Sequence, residues 1–377
     1  MDKFSVEERF DIGPLVTFIP NKKYPIYNWF HFKEGFSRDF VLLMLDLFKV
    51  VKGGWVLDPF CGSGTTLLAS KERGINSVGV DAMPLCVFLS QVKTMNYDIE
   101  KLKETSRNIF AQKFIAPDIR RLSPLVKRAF TKYAQEDILF FRSVVKQIED
   151  PVIRNFFTLA LIVASEKISF AYKDGAVIKI HRVKNTPPFK PMLKRTIKKM
   201  INDLKRFGST SAQVKVFHGD ARNLNFLEDS TFDAVITSPP YLNIIDYMKV
   251  YKIENELFFE DSKEESIHSY IGLRVEDKYN DLTNLSVPPV AKAYFKDMKV
   301  ALQEQYRVLK DNGKVAMVVG EGVFPDQIVP VHTILAGFAQ DVGFKVERII
   351  YVNKRTVTDH NRNKIGIALE SVLIFKK

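Results

Sequence analysis

Two short stretches carry residue types that could do chemistry. The first, "LDPFCGSGTT" (57–66), holds a carboxylate, two glycines and a pair of threonines. The second, "TSPPY" (237–241), ends an apolar run, "FDAVI", with two hydroxyls, two prolines and a tyrosine. Proline cannot donate a backbone hydrogen bond, so Pro239 and Pro240 stop sheet pairing and force the chain out as a stiff loop. A stiff loop at a strand end is a place to hold something. In the first stretch, Gly62 and Gly64 let the backbone turn tightly and approach a ligand closely. A P-loop would need Lys before the final Ser or Thr, and none stands there. A dinucleotide fingerprint would need a third glycine three residues after Gly64, and that position is Leu67.

These stretches need elements to position them. "WVLDPF" (55–60) reads as a strand, followed by a loop and a helix. "INSVGVDA" (75–82) is a second strand ending in Asp81, and "VKVFHGDARNL" (214–224) a third ending in Asp220. "FDAVITSPPY" (232–241) is a fourth. Residues 300–320 read as a helix, a turn at Asn312-Gly313 and a fifth strand. "FKVERIIYV" (344–352) and "SVLIFKK" (371–377), separated by a polar basic loop, predict an antiparallel hairpin at one edge. A helix is expected over 37–51 with Ser37 as N-cap. Alternating strands and helices predict an α/β fold with a mostly parallel sheet, in which ligands bind at the carboxyl ends of strands.

Residues between the second and third strands are too many for one crossover helix. They predict a helical insertion, with helices over 98–114, 151–172 and 191–207. The expected organisation is a first sheet part over 1–93, the insertion over 94–212, and a second sheet part over 213–377. In the helix 191–207, Leu193, Ile197, Met200, Ile201 and Leu204 share one face. From Gly175 to Phe207 there are ten Lys or Arg and one acid, Asp203. The bland reading of a charge run is a solvated helix face. Ten to one favours a phosphate-facing surface, with Lys190, Lys194, Arg195, Lys198, Lys199 and Lys205 as its candidates. Arg355 and Arg362, in the C-terminal basic loop, join them. The whole chain of 377 residues carries a net charge of +12, which also points to a polyanionic partner.

Other classes are disfavoured. Two cysteines, Cys61 and Cys86, cannot build a disulfide framework or a zinc cage by themselves. The six histidines form no metal-ligand spacing, so no metal is expected. The longest apolar stretch, "FFTLALIVA" (156–164), is too short to span a bilayer, and the start has no apolar signal core. A reduced, cytoplasmic protein is expected.

The two motifs together resemble the S-adenosylmethionine-dependent methyltransferases that act on exocyclic amino groups of nucleobases, the N4-cytosine and N6-adenine type. "DPFCGSGTT" is similar to that family's cofactor loop, and "TSPPY" to its catalytic loop in the Ser form typical of N4-cytosine enzymes. "YRVLKDNGKVAMVV" resembles the family's helix-to-fifth-strand segment. The resemblance covers about 36–93 and 214–377, and implies a Rossmann-like class I methyltransferase sheet. It implies that Asp58 and the loop Phe60, Cys61, Gly62, Gly64, Thr65 and Thr66 hold the methionine part of S-adenosylmethionine. Asp81 would bind the ribose hydroxyls and Asp220 the adenine amino group. Residues 28–37 would complete the pocket.

The same resemblance gives the catalytic loop its roles. The Ser238 hydroxyl and the Pro239 carbonyl would accept hydrogen bonds from the target amine. Pro240 would stiffen the loop, and Tyr241 would stack on a base taken out of its helix. The methyl group would pass directly to nitrogen with no covalent enzyme intermediate. C5-cytosine methylation needs a thiolate, usually in a Pro-Cys pair, and no such pair exists here.

The substrate is expected to be nucleic acid. The cofactor loop precedes the catalytic loop here, whereas many N4-cytosine DNA enzymes have the reverse order. This departure counts against DNA and leaves it only slightly ahead of RNA, with a ribosomal or transfer RNA cytidine-N4 enzyme as the alternative. N6-adenine specificity, a protein-amide substrate and a catalytically inactive binding protein are the remaining readings.

Overall fold

The computed structural model describes residues 4–174, 177–181, 186–208, 210–242, 250–259, 286–325, 327–358 and 364–377. Its strands, in chain order, are β1 (Val6–Glu8), β2 (Trp55–Asp58), β3 (Asn76–Asp81), β4 (Ala171–Asp174), β5 (Val177–Ile180) and β6 (Val214–His218). There follow β7 (Phe232–Thr237), β8 (Leu309–Gly320), β9 (Gly322–Val323), β10 (Ile328–Val329), β11 (Lys345–Thr358) and β12 (Lys364–Lys376). Eight of them form one sheet in the order β1-β11-β12-β8-β7-β2-β3-β6. β2, β3, β6, β7 and β8 run parallel to their neighbours among themselves, and β12 is antiparallel to both β8 and β11. This is the expected Rossmann-like sheet. Strand order reverses between β2 and β7, the switch point at which such sheets open a crevice.

The central strands are mostly apolar because helices cover both faces. Val56, Leu57, Val78, Val80, Val235 and Ile236 are all buried. Helix α1 (Arg38–Phe48) starts where expected: Ser37 accepts a bond from the Phe40 N–H. Helix α2 (Thr65–Glu72) follows the glycine loop, and α3 (Pro84–Thr94) follows β3.

The insertion holds α4 (Ile99–Ala111), α5 (Pro124–Ala129), α6 (Lys132–Lys146), α7 (Pro151–Ile168), the β4–β5 hairpin and α8 (Phe189–Phe207). It is not a separate lobe, because its apolar residues share one core with α1, α2 and α3. Trp29 shows why. Its ring meets Phe156 of α7 edge-on at 5.9 Å, and its Nε1–H donates to Asp203 of α8 at 3.0 Å. Asp203, the single acid on the basic helix, is turned inward to satisfy a buried indole.

Several sequence expectations are revised. The third strand stops at His218, because Asp220 accepts from the Arg222 N–H and bends the chain into a turn. The helix expected over 151–172 ends at Ile168, and the residues after it pair as β4 with β5. The polar stretch after Val352 is mostly ladder: β11 continues to Thr358, and Lys354 pairs with Leu369. Alternation survives there in the buried Val357 and Ala368. The Asn312-Gly313 turn lies inside β8, where Asn312 takes φ +65° and the register with β7 shifts. A strand that periodicity does not announce, β1, pairs parallel with β11 outside the hairpin. Among the described residues, no helix is long and apolar enough to cross a membrane.

Candidate active site

A cavity of about 470 Å³ opens at the carboxyl ends of the central strands. Residues 58–63 after β2, 81–83 at the end of β3, 219–221 after β6 and 238–242 after β7 form most of its wall. Residues 32–36, ahead of α1, close one side, and Glu321, Arg355 and Glu370 stand on another.

Each strand end is fixed by a hydrogen bond to its neighbour. Asp58, at the end of β2, is 2% exposed. Its Oδ1 accepts from the Phe60 N–H at 3.2 Å and from the Thr237 hydroxyl at 2.6 Å. Thr237 is the last residue of β7, so this bond joins the glycine loop to the proline loop. Asp81 accepts from the Gly62 N–H at 2.8 Å with one oxygen and from the Met83 N–H at 2.8 Å with the other. Burial pushes both carboxyls up, each to about 6.

Gly62 has φ +49°, and a Cβ there would stand 3.1 Å from the Phe32 ring. Gly64 has φ +81°, and a Cβ there would meet Ser90 at 2.9 Å. The two glycines therefore differ in purpose. Gly62 keeps the cavity wall thin, whereas Gly64 lets α2 pack on α3.

The proline loop is anchored from two sides. The Ser238 hydroxyl donates to the Val318 carbonyl of β8 at 3.2 Å. The Tyr241 hydroxyl donates to Glu370 of β12 at 2.7 Å. A Cβ on Gly320 would lie 2.8 Å from the Tyr241 ring, so the ring rests against the end of β8.

Of the sequence candidates, Asp58, Phe60, Cys61, Gly62, Thr65 and Asp81 line this one cavity. So do Asp220, Ser238, Pro239, Pro240, Tyr241 and Arg355. Gly64 and Thr66 stand behind its wall, with Thr66 donating to the Ile236 carbonyl at 3.2 Å. Asp220 is held by the Arg222 guanidinium at 2.6 Å, and Arg222 also reaches Asp297 at 2.8 Å. Lys190, Lys194, Arg195, Lys198, Lys199 and Lys205 are exposed along α8 and take no part in the cavity. Arg362 lies outside the described residues. Cys61 and Cys86 are buried, and burial raises both thiols, which suits packing rather than attack. His218 bonds the Ala82 carbonyl at 2.9 Å.

Phe32, Lys33 and Glu34 fall in the 28–37 segment expected to complete the pocket, whereas sequence reasoning missed Thr237, Glu321 and Glu370. Thr237 had a signal, as the first hydroxyl of TSPPY. The glutamates had none, since their place depends on strand pairing.

Comparison with known proteins agrees with this arrangement. The model of the DNA methylase family matches residues 31–91, which span the Phe32 wall, the glycine loop and Asp81. The Type II methyltransferase M.BsoBI of Geobacillus stearothermophilus is 27% identical, over 90% of this chain and 83% of its own length. The Type II methyltransferase M.AvaI of Anabaena variabilis is 24% identical, over 93% and 85%. By these matches the chain resembles the exocyclic-amino DNA methyltransferases. The cofactor that this resemblance implies is S-adenosylmethionine.

The cavity fits that cofactor. Its volume lies in the range of small-molecule sites. The Asp81 oxygens each keep an acceptor lone pair beyond the backbone bond they already accept. Phe60, Met83 and Phe32 supply apolar surface. Asp81 and the Gly62 loop would hold the ribose and methionine parts. The cofactor supplies an electrophilic methyl group on a positively charged sulfur.

Two outcomes follow. Asp81→Ala removes a charged acceptor worth about 1.5–3 kcal/mol, so calorimetry should show S-adenosylmethionine bound roughly 10- to 100-fold more weakly. Affinity within twofold of the parent would remove Asp81 from the cofactor's contacts. Affinity should also fall as pH drops through about 6, where Asp58 and Asp81 take up protons and lose acceptor capacity. Calorimetry at pH 5.5 and 7.5 should differ roughly fivefold or more. The folding linkage has the opposite sense. These raised carboxyls add stability below their unfolded value near 3.8 and lose it as pH rises through 6. The unliganded fold thus bears the cost of the ionised acceptors.

Proposed function

We propose that this methyltransferase modifies the N4 amino group of cytosine in double-stranded DNA. The observation that carries the reading is the Ser238 hydroxyl. Its proton is directed to the Val318 carbonyl, so the oxygen meets the cavity as an acceptor. An exocyclic amine has its lone pair delocalised into the ring and is a poor nucleophile. Two acceptors, Ser238 Oγ and the Pro239 carbonyl, would draw on its two N–H bonds and bring the nitrogen toward sp³ geometry. Pro239 and Pro240 hold those acceptors in place before the target arrives, which is preorganisation. The Ser form of the loop favours cytosine over adenine.

Tyr241 supports a target base taken out of the helix. Glu370 fixes its hydroxyl and Gly320 backs its ring, so it offers a rigid face for stacking. Arg355, exposed on β11 yet lining the cavity, is placed to meet the target's polar edge or a flanking phosphate.

DNA as substrate is supported by the family model and by relatives described as Type II methyltransferases. The insertion, 94–212, is the part we assign to gripping the polymer, leaving 1–93 and 213–377 to the methyltransferase unit. Its helix α8 buries Leu193, Ile197, Met200 and Ile201 and presents Lys194, Arg195, Lys198 and Lys205 to solvent. A cytoplasmic location goes with that substrate.

Ser238→Ala separates binding from transfer. S-adenosylmethionine affinity by calorimetry should stay within twofold, while methyl incorporation into DNA at saturating cofactor drops roughly 10²–10³-fold, the size of losing one preorganised hydrogen bond in a transition state. Unchanged turnover would sink the proposed role of Ser238.

A further inference from the structure

A chain of contacts runs from the insertion into the wall of the cofactor cavity. It starts at Lys173 in β4, whose side chain is 14% exposed. The ammonium pairs with Glu254 at 2.7 Å and Glu166 at 3.5 Å. It also sits 4.1 Å from the centre of the Tyr251 ring and 5.1 Å from that of Phe30. Tyr251 is 1% exposed. Its ring stacks on Phe32 at 5.7 Å with the planes 7° apart, and its hydroxyl donates to Glu34 at 3.2 Å. Phe32 and Glu34 are cavity wall, and Phe32 is the ring against which Gly62 turns. A second tie runs alongside: the Lys33 ammonium donates to the Lys173 carbonyl.

We propose that Lys173 is a positioning residue through which the insertion sets the shape of the S-adenosylmethionine site. This rests on assigning the main cavity to that cofactor. Lys173 touches neither the cavity nor the reacting atoms. It fixes the orientation of Tyr251 from one side by charge over the ring face and by the two glutamates around it. Tyr251 in turn fixes the Phe32 plane and the Glu34 carboxylate. The segment 31–35 has little regular structure of its own, so its position is set by these contacts and not by a backbone ladder. The buried ions are costly unless they are paired. Lys173 and Glu254 are two such groups in one cluster, with the partly exposed Glu166 beside them, and among the described residues the Glu254 Oε2 atom has no hydrogen-bond partner. A strand that needed only packing could fill this place with apolar side chains.

The test compares cofactor binding across variants by calorimetry. Lys173→Met is combined with Glu254→Gln, so that the main partner is not left as an orphaned carboxylate. Tyr251→Phe keeps the ring and removes only the bond to Glu34. Lys173→Arg is the conservative variant. The prediction is that the double variant binds S-adenosylmethionine roughly fivefold or more weakly, a typical coupling between two sites. Tyr251→Phe should weaken it in the same direction without lowering the melting temperature, and Lys173→Arg should restore most of the affinity. The KM for cofactor should rise while kcat at saturation holds, which a general loss of folded protein would not produce. Parental affinity in a folded double variant and in Tyr251→Phe would overturn the proposal while leaving the cavity assignment intact. If the double variant does not fold, parental affinity in Tyr251→Phe alone overturns it. Failure of the parent protein to bind S-adenosylmethionine would overturn the cavity assignment and this proposal with it.

Discussion

The Asp58–Thr237 hydrogen bond is the constraint on which the site depends. At 2.6 Å it joins the ends of β2 and β7, the two strands between which the sheet changes direction. One of these strands delivers the glycine loop and the other the proline loop. Without a bond between them, each loop would be positioned only by its own strand. With it, the proposed acceptor for the target amine and the wall of the main cavity share one reference point. A buried carboxylate is expensive to keep ionised, and burial raises Asp58 to about 6. The bond from a buried hydroxyl offsets part of that cost while fixing geometry.

The same logic is repeated one strand away. Asp81 at the end of β3 holds the Gly62 N–H and its own following turn. Three adjacent strand ends are therefore cross-tied through two carboxylates. Side chains on rigid strands reach a fixed geometry more closely than side chains on free loops, which suits a reaction in which proximity and acceptor placement do most of the work. The parts farther out are less constrained by the sheet. Tyr241 depends on Glu370 of β12, and Phe32 depends on Tyr251.

Much of this was legible in the sequence because glycine and proline have direct backbone meaning. Gly62, Gly64, Pro239 and Pro240 mark where strands must end, and apolar runs on either side mark the strands themselves. The helix cap at Ser37 was legible for the same local reason. What was not legible depends on pairs far apart in the chain. Thr237 meets Asp58 across 179 positions, and Tyr241 meets Glu370 across 129. Strand β1 gains its place only by pairing with β11, and nothing in three residues of mixed polarity announces that. The extension of β11 and β12 was hidden because a polar ladder looks like a loop when only hydrophobicity is read. Asp220 is the instructive case: its partner Arg222 is two residues away, and the turn it forms shortened a strand that the apolar pattern had carried on to Leu224.

The most direct measurement is the identity of the methylated nucleoside. The purified protein would be incubated with methyl-labelled S-adenosylmethionine and unmodified genomic DNA, with unmodified ribosomal RNA in a parallel tube. Each polymer would then be digested to nucleosides for mass spectrometry. The account predicts label in N4-methyl-deoxycytidine from the DNA. Label in N6-methyl-deoxyadenosine, or in RNA alone, would contradict it.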